Sequence, residues 1–313
     1  MEKIKIFSGK SCPELAEKIC QQLGTSLSPL KIKEYANGCF EVIIKDDVRN
    51  KIVFLIQTSV PNPRYLHENL WELFQMTSAA FESGAKEIIV VIPYVSYARS
   101  DKIYTPGMTI SGELLVKLLE ASGMTRFIGI DFHSKEFEEF FSKKTKIYHL
   151  SALPLIVRYL KTKNLENVTL LPGDKGAQKR TSLLAEKLDV PVGSVEKTRI
   201  SDTKAKIEKI SGNITGRDIV LFDDEISPVA TTVRTLAKEL DKYGAKDLTV
   251  AVTHASITQE TVRRLRKIKI LKEIIITDTV PIPEKIRKSL PLTVLSVTEL
   301  LVTTIKTISE EDL

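Results

Sequence analysis

The sequence is poor in cysteine, in aromatic residues and in long hydrophobic runs. Its 313 residues include three cysteines, one tryptophan and four histidines, and aromatic residues make up 6%. An odd number of cysteines without Cys-x-x-Cys spacing argues against a disulfide framework or a zinc site, and predicts a reducing, cytoplasmic compartment. No apolar run reaches the roughly 18–20 residues of a membrane-spanning helix, and the first residues predict a strand rather than a secretory signal.

Charge of one sign is not concentrated in any block. The chain has 46 lysine and arginine residues against 40 aspartate and glutamate residues, so its net charge is +6. A small, dispersed positive excess predicts anionic small ligands, and neither nucleic acid nor a membrane as a partner. The hydrophobic fraction of 42% is that of a globular protein, and the length predicts about two domains.

Short runs rich in isoleucine and valine alternate with amphipathic segments along the chain. Such runs are typical of strands buried on both faces of a parallel sheet. The predicted strands are 53–57, 87–92, 126–131, 168–171, 218–222, 248–253 and 273–276, and the predicted helices are 69–83, 112–121, 181–188 and 232–243. Residues 81–92 and 240–252 each read as a helix end, Gly-Ala-Lys and a strand. This echo predicts a duplicated, doubly wound α/β domain with mainly parallel sheets, divided near residues 144–155.

Two adjacent carboxylates, Asp223 and Asp224, follow the strand 218–222 and precede a short loop. The loop leads into a helix at Thr231 and Thr232, whose N–H groups and hydroxyls suit an anion. The carboxylates suit sugar hydroxyls or a hydrated divalent cation. An Asp-rich turn with either threonine as an ordinary N-cap fits the same residues, so the motif alone leaves both interpretations open.

A glycine-rich loop follows the strand 168–171 and precedes a helix. Gly173 and Gly176 would let an anion approach. Lys175 supplies charge and Asp174 suits a metal ion. The loop matches neither the P-loop nor the dinucleotide fingerprint, and a tight strand–helix turn needs glycine in any case.

Two other strand ends carry charged or histidine residues. Arg99 and Asp101 lie in a Pro-Gly loop that suits polyphosphate, or is a plain solvated loop. His133 follows Asp131 at the end of the strand 126–131, where it suits a ligand site or a satisfied position in the core. His67, His149 and His254 have no comparable context.

Lys197 and Arg199 form a pair of cations on an extended segment, where alternate residues share one face. In that position they could stabilise the negative charge of a transferring phosphoryl group. The alternative interpretation is that both side chains lie on a solvent-facing strand edge and bind nothing.

Taken in order, these motifs resemble those of the ribose-phosphate pyrophosphokinases, the phosphoribosyl pyrophosphate synthetases, over essentially the whole chain. The matching segments are 56–58, 68–73, 93–101, 110–119, 131–133 with 140–141, 173–177, 197–199, 223–224 and 253–254. The resemblance implies an α/β protein of two tandem type I phosphoribosyltransferase-like domains, residues 1–147 on the ATP side and 148–313 on the ribose 5-phosphate side. It implies Mg²⁺-dependent transfer of diphosphate from ATP to the 1-hydroxyl of ribose 5-phosphate. It also implies a homo-oligomer, a dimer or larger, in which a neighbouring subunit helps to bind adenine.

The resemblance assigns roles to individual residues. Catalysis falls to Lys197, Arg199 and His133; ATP binding to Arg99, Asp101, His133 and Asn37; ribose 5-phosphate binding to Asp223, Asp224, Ser227, Thr231 and Thr232; the diphosphate loop to Asp174, Lys175 and Gly176; and metal binding to Asp131, His133 and Asp174. His133 and Asp174 are expected to lie near each other at one Mg–ATP site.

The chain departs from the family pattern most at the sugar-phosphate loop. Where Asp-Thr-Gly-Gly-Thr is usual, residues 227–231 read Ser-Pro-Val-Ala-Thr, which removes one N–H donor and adds two Cβ atoms. Residues 35–39 lack both carboxylates of the usual adenine segment, Ser100 replaces the usual Gln, and Ser142 and Lys146 replace two acidic positions. Two alternatives therefore stay open: a catalytically inactive, nucleotide-binding regulatory homologue, and a diphosphokinase with a different sugar-phosphate acceptor.

Overall fold

A computed structural model describes residues 3–61, 64–201, 204–226 and 230–311, without the side chains of residues 199–201 and 204–205. Two predicted site positions, Ser227 and the side chain of Arg199, therefore lie outside the described residues. No helix in the described part of the chain combines the length and the apolar character that crossing a membrane requires.

Strands and helices alternate along the described residues, as the sequence predicts. The strands are β1 Ile4–Ser8, β2 Leu30–Glu34, β3 Phe40–Ile44, β4 Ile52–Ile56, β5 Glu87–Ile92, β6 Arg126–Ile130, β7 Lys146–Leu150, β8 Val168–Pro172, β9 Ser194–Ser201, β10 Lys204–Ser211, β11 Asp218–Ile226, β12 Asp247–Ala255, β13 Leu271–Thr277 and β14 Leu292–Leu295. The helices are α1 Pro13–Leu23, α2 Leu66–Glu82, α3 Ser111–Ala121, α4 Leu153–Leu160, α5 Gln178–Leu188, α6 Thr231–Lys242, α7 Gln259–Leu265, α8 Glu284–Arg287 and α9 Thr298–Glu311.

Two parallel five-stranded sheets form the framework, which confirms the predicted α/β class and its duplication. One sheet has the order β1-β4-β5-β6-β7 and the other the order β14-β13-β12-β11-β8. The predicted doubly wound order is wrong, because the strands of each sheet follow chain order from its first strand at one edge. Hydrophobic periodicity locates strands, but the choice of neighbour depends on long-range pairing. Two antiparallel ribbons, β2–β3 and β9–β10, accompany the sheets.

The described residues fall into two compact units. The first comprises the residues up to Ser151 with Thr279–Pro281 and those from Val297 onward, and the second comprises Ala152–Asp278 and Ile282–Ser296. Helix α9 thus belongs to the first unit, where it packs against α1. The predicted domain boundary near residues 144–155, drawn between 147 and 148, stays a prediction, and these compact units divide first between 151 and 152.

The sequence echo corresponds to the same turn in both units. Gly84 and Gly244 have φ values of +80° and +73°, a left-handed conformation that favours glycine, and each ends a helix that leads into a strand. The carbonyl of Gly84 accepts a hydrogen bond from the Asn50 N–H at 2.9 Å, and that of Gly244 accepts one from the Gly216 N–H at 2.7 Å. The repeated sequence therefore specifies a repeated backbone connection.

The central strands are buried, which fixes where polar side chains can emerge. Every residue of β4 and β8 is buried, as the continuous apolar runs predict. Because the strands of each sheet are parallel, their carboxyl ends meet at one edge of that sheet. Candidate residues lie at this edge after β5 and β6 in one sheet, and after β8 and at the end of β11 in the other.

Candidate functional site

In the second unit, Asp223 lies on a stretch of β11 that has lost one neighbour. Strands β11 and β8 pair only as far as Phe222 and Pro172, whereas β11 stays paired with β12 out to Ile226. The strand is therefore longer than the predicted 218–222, because β12 continues to support it. Asp223 and Asp224 stand on the strand itself, beside the loop that leaves β8.

The loop after β8 packs directly against Asp223. The Gly173 N–H donates to the carbonyl of Phe222 at 3.1 Å, which continues the β8–β11 ladder by one bond. A Cβ atom on Gly173 would lie 1.9 Å from Oδ2 of Asp223. The missing side chain of Gly173 thus accommodates the Asp223 carboxyl group, a reason for the glycine that the sequence does not reveal.

Burial, reinforced by neighbouring carboxylates, governs the protonation of Asp223. Burial raises the pKa of Asp223 well above its usual range, and the negative charges of Asp224 and Asp174 raise it further. The Asp224 N–H donates to Oδ1 of Asp223 at 2.9 Å, which opposes the shift. Hydroxyl donors or a cation at this carboxyl would stabilise its ionised form.

Lys197 joins three parts of the second unit at its ammonium group. The group donates to the carbonyl of Gly173 at 3.2 Å and to Oγ1 of Thr232 at 3.1 Å, and it lies 3.3 Å from Oδ2 of Asp174. Only 12% of its side chain is exposed. A desolvated cation held between the β8 loop and the start of α6 suits a ligand whose negative charge spans both.

Asp174 and Asp224 each have a basic partner. Burial raises the pKa of Asp174, but the charge of Lys197 and the N–H that Ala177 donates at 3.1 Å outweigh burial and hold the pKa below its usual range. Arg180 on α5 lies 3.5 Å from Oδ1 of Asp224. Arg180 follows the predicted loop motif in sequence, but its partner becomes evident only from the sheet geometry.

Helix α6 begins with an unusual residue and a buried hydroxyl. Ala230 precedes the helix with φ +46° and ψ +38°, the left-handed conformation that favours glycine. The buried Oγ1 of Thr231 has no hydrogen-bond partner within the part of the chain that the structure describes. The position where the family pattern has glycine therefore keeps a glycine-like backbone with alanine in it.

Replacing Ala230 with glycine is expected to stabilise the protein by up to about 1 kcal/mol. Relief of the left-handed strain outweighs the larger backbone entropy that glycine adds to the unfolded chain. Urea unfolding of the full chain measures the difference. Ala177→Gly is the matched control, because Ala177 precedes α5 with an ordinary φ of −77° and should lose stability. A230G that is no more stable than the wild type would contradict the strain.

Replacing Asp223 with a neutral residue is expected to lower activity and to raise the stability of the folded protein. Because its folded pKa is raised, the stability that the protonated carboxyl contributes is complete at low pH and is lost as pH rises through that pKa. Asp223→Asn should therefore raise Tm at pH 8, by about 2–4 °C for each kcal/mol relieved. The gain should shrink toward pH 5.

Thermal scans of D223N across this pH range test the sign of the effect. The exposed Asp241→Asn on α6 is the control, and its Tm should stay close to that of the wild type. A D223N gain that grows as pH falls would contradict the assignment.

In the first unit, His133 projects from a tight loop after β6. Asp131 has φ +40°, and this left-handed turn leaves Phe132 buried and His133 exposed. The carboxylate of Asp131 accepts a hydrogen bond from Oγ of Ser151 at 2.9 Å. The N–H of Phe132 donates to Nε2 of His149 at 3.0 Å. His149, which has no distinctive context in the sequence, thus contacts the backbone of the predicted histidine loop.

The loop after β5 is anchored at its base by Ser100. The Oγ of Ser100 accepts a hydrogen bond from the N–H of Ser111 at 3.0 Å, and the Ser100 carbonyl accepts one from the N–H of Gly112 at 3.1 Å. Arg99 is exposed, whereas Asp101 is buried with Oδ1 unpaired among the described residues. The serine that replaces the family's usual Gln therefore ties the loop to the start of α3.

The remaining predicted positions are exposed loop residues or lie in different units. Asn37 accepts a hydrogen bond from the Cys39 N–H at 3.0 Å in the exposed β2–β3 turn, and Lys175 and Gly176 are exposed. His133 belongs to the first unit and Asp174 to the second, so their predicted proximity stays a prediction. The described residues contain no group of three or more His, Cys, Asp or Glu side chains that could hold a metal ion.

The architecture matches a solved protein over nearly its whole length. A crystal structure of phosphoribosylpyrophosphate synthetase from Mycobacterium smegmatis superposes with a TM-score of 0.90 at 29% sequence identity, and it covers 99% of both chains. The fold is that of proteins built from two type I phosphoribosyltransferase-like α/β domains.

Sequence comparison identifies the family. The profile of the N-terminal domain of ribose phosphate pyrophosphokinase matches residues 4–123, and the phosphoribosyl synthetase-associated domain matches residues 172–313. A ribose-phosphate pyrophosphokinase of Fusobacterium nucleatum is 35% identical, covering 90% of this chain and 88% of that protein. One of Bacillus subtilis is 33% identical, covering 91% and 87%. The chain belongs to the ribose-phosphate pyrophosphokinase family.

Proposed function

We propose that this protein is a ribose-phosphate diphosphokinase, which transfers diphosphate from Mg-ATP to the 1-hydroxyl of ribose 5-phosphate and releases AMP. The observation that carries the proposal is the position of Lys197, whose ammonium group bonds to both Gly173 and Thr232 beside Asp174. Relatives named for this activity cover about nine-tenths of the chain.

In the second unit, the proposed roles divide between the sugar and the transferring group. Asp223 and Asp224 accept hydrogen bonds from ribose hydroxyls, which would relieve the crowding of their carboxylates. Lys197, with Arg199 two residues further along β9, stabilises negative charge that develops as the diphosphate moves.

The main-chain N–H groups of the loop at Asp174, Lys175 and Gly176 receive the diphosphate. Thr231 and Thr232 at the start of α6, together with Ser227, bind the 5-phosphate.

In the first unit, Arg99, Asp101, Asn37 and His133 are the proposed contacts to ATP. Arg99 and His133 are exposed at the carboxyl edge of the sheet, where a nucleotide can reach them. The buried Oδ1 of Asp101, unpaired among the described residues, offers an acceptor to ATP. His133 serves catalysis by donating to phosphate oxygens.

The residues present fit Mg²⁺ that arrives with ATP. Magnesium prefers a few protein oxygens and keeps water and phosphate as its other ligands, and the carboxylates of Asp131 and Asp174 supply such oxygens. Asp131, His133 and Asp174 are the residues that would hold the ion, directly or through water. When bound, Mg²⁺ neutralises charge on the triphosphate.

The proposed setting is a cytoplasmic homo-oligomer, a dimer or larger, without nucleic acid or membrane partners. Three cysteines, odd in number and without Cys-x-x-Cys spacing, favour a reducing compartment. Trp71 on α2 and Leu114 and Leu118 on α3 are exposed apolar side chains that suit contact with a second copy. Light scattering on the purified protein measures the assembly.

Release of AMP tests the proposal. The purified protein with Mg-ATP should release AMP only when a sugar phosphate is present, and ribose 5-phosphate should support a higher kcat/KM than related acceptors. A preference for another sugar phosphate would assign a different acceptor. Binding of ATP without AMP release from any acceptor would identify the inactive regulatory homologue, the alternative that the altered loop at residues 227–230 favours.

A further inference from the structure

Three consecutive residues at the end of β7 hold the loop that carries His133. The carbonyl of Leu150 accepts the N–H of Asp131 at 2.9 Å, and Oγ of Ser151 donates to the Asp131 carboxylate at 2.9 Å. Nε2 of His149 accepts the N–H of Phe132 at 3.0 Å. The parallel register of β6 and β7, which places Gly129 opposite His149, brings these groups together.

The two ring nitrogens of His149 have different partners, which fixes its protonation. A backbone N–H can only donate, so Nε2 must accept and cannot carry a proton. The ring proton therefore lies on Nδ1, which donates to Oε1 of Glu138 at 2.5 Å. Glu138 thus selects the tautomer that can accept from Phe132.

Packing of the Phe132 ring restricts the backbone of Phe132 in addition to the hydrogen bond with His149. Its ring stacks on His149 with centroids 4.2 Å apart and an interplanar angle of 23°. The ring also lies over Gly129, where a Cβ atom would be 2.2 Å from Cε1 of Phe132. Because Phe132 points inward, the next residue, His133, points outward, and its direction depends on the plane of the Phe132 backbone.

We propose that His149 is a positioning residue for diphosphate transfer. It accepts the N–H of Phe132 and so aims the side chain of His133, while Glu138 holds the ring in the accepting tautomer. Its assigned role is to act through His133 and not through contact with nucleotide or sugar. The inference rests on the proposed role of His133 at ATP.

Two substitutions separate the hydrogen bond from the ring packing. His149→Phe keeps a stacked ring but has no acceptor, and His149→Gln loses the ring but can place an amide oxygen near the position of Nε2. H149F should raise KM for ATP or lower kcat by about tenfold. This is the order of effect expected when a hydrogen-bond donor loses its partner. KM for ribose 5-phosphate should stay constant, and H149Q should recover most of the loss.

A double-mutant cycle shows whether His149 acts through His133. In the His133→Ala background, H149F should cause no further loss, because the group that it misplaces is absent. Additive losses in the cycle would overturn the proposal. Wild-type kinetics of H149F would also overturn it. Equal loss of activity in H149F and H149Q, together with a lowered Tm in both, would overturn it as well.

A spectroscopic readout keeps the inference testable without activity. The chain has four histidines, so the Cε1–H signals can be assigned one by one in ¹H–¹³C spectra. The His133 signal should shift in H149F and return toward the wild-type position in H149Q. A wild-type protein that releases no AMP would defeat the proposed function and leave this comparison intact, whereas an unmoved His133 signal in H149F would overturn the positioning role.

Discussion

Replacing Lys197 with alanine is expected to lower kcat by about 10²–10³, the usual loss when a preorganised charge is removed from a developing anion. The ammonium group is largely desolvated and held between Gly173 and Thr232, so it needs little reorganisation when the diphosphate moves. KM for either substrate should change much less. Steady-state kinetics with each substrate varied in turn measures the split.

Lys206→Ala is the matched control for this prediction. Lys206 lies on the partner strand of the same β9–β10 ribbon, where it is exposed and pairs with Glu208 at 3.0 Å. Its removal should leave kcat unchanged, while Lys197→Arg, which keeps the charge, should recover part of the loss. An unchanged kcat in K197A, with only KM altered, would contradict the transition-state role.

Gly173→Ala is expected to damage the sugar site as severely as loss of a carboxylate contact. The new Cβ atom would lie 1.9 Å from Oδ2 of Asp223, so the carboxyl group or the loop must move. Losing a hydrogen bond to a charged group weakens binding roughly 10–150-fold, and KM for ribose 5-phosphate should rise accordingly. KM for ATP should change less, because the proposed nucleotide contacts of Arg99, Asp101 and His133 lie in the first unit.

The effect of G173A should depend on the side chain at Asp223. Asp223→Ala alone should raise KM for ribose 5-phosphate and leave space beside the loop. Adding G173A to D223A should therefore cost little more, a strongly non-additive pair. Additive effects would contradict the steric explanation and indicate that the glycine acts independently of Asp223.

The sequence predicts the buried framework well, because burial on both faces leaves a continuous apolar run. Strand β5 begins and ends at the predicted residues Glu87 and Ile92, and the Gly84 and Gly244 turns follow from the repeated motif. The sequence predicts the positions of exposed strands less well. Lys204–Ser211 match none of the predicted apolar runs, yet they form β10, because pairing with β9 supplies the stability that composition does not indicate.

The contacts within the candidate site depend on pairing between distant segments. The role of Gly173 follows from its position beside β11, and that of His149 from the register of β6 and β7. Neither residue has a local pattern that distinguishes it from an ordinary turn glycine or strand histidine. A motif search therefore finds the charged residues of the site more readily than the residues that support them.

Identification of the product tests the central claim most directly. The purified protein should be incubated with Mg-ATP and ribose 5-phosphate and followed by ³¹P NMR. The account predicts that the three ATP resonances are replaced by AMP and by the diphosphate signals of phosphoribosyl pyrophosphate in equal amounts. Formation of ADP with a ribose bisphosphate, or persistence of ATP in the presence of ribose 5-phosphate, would contradict it.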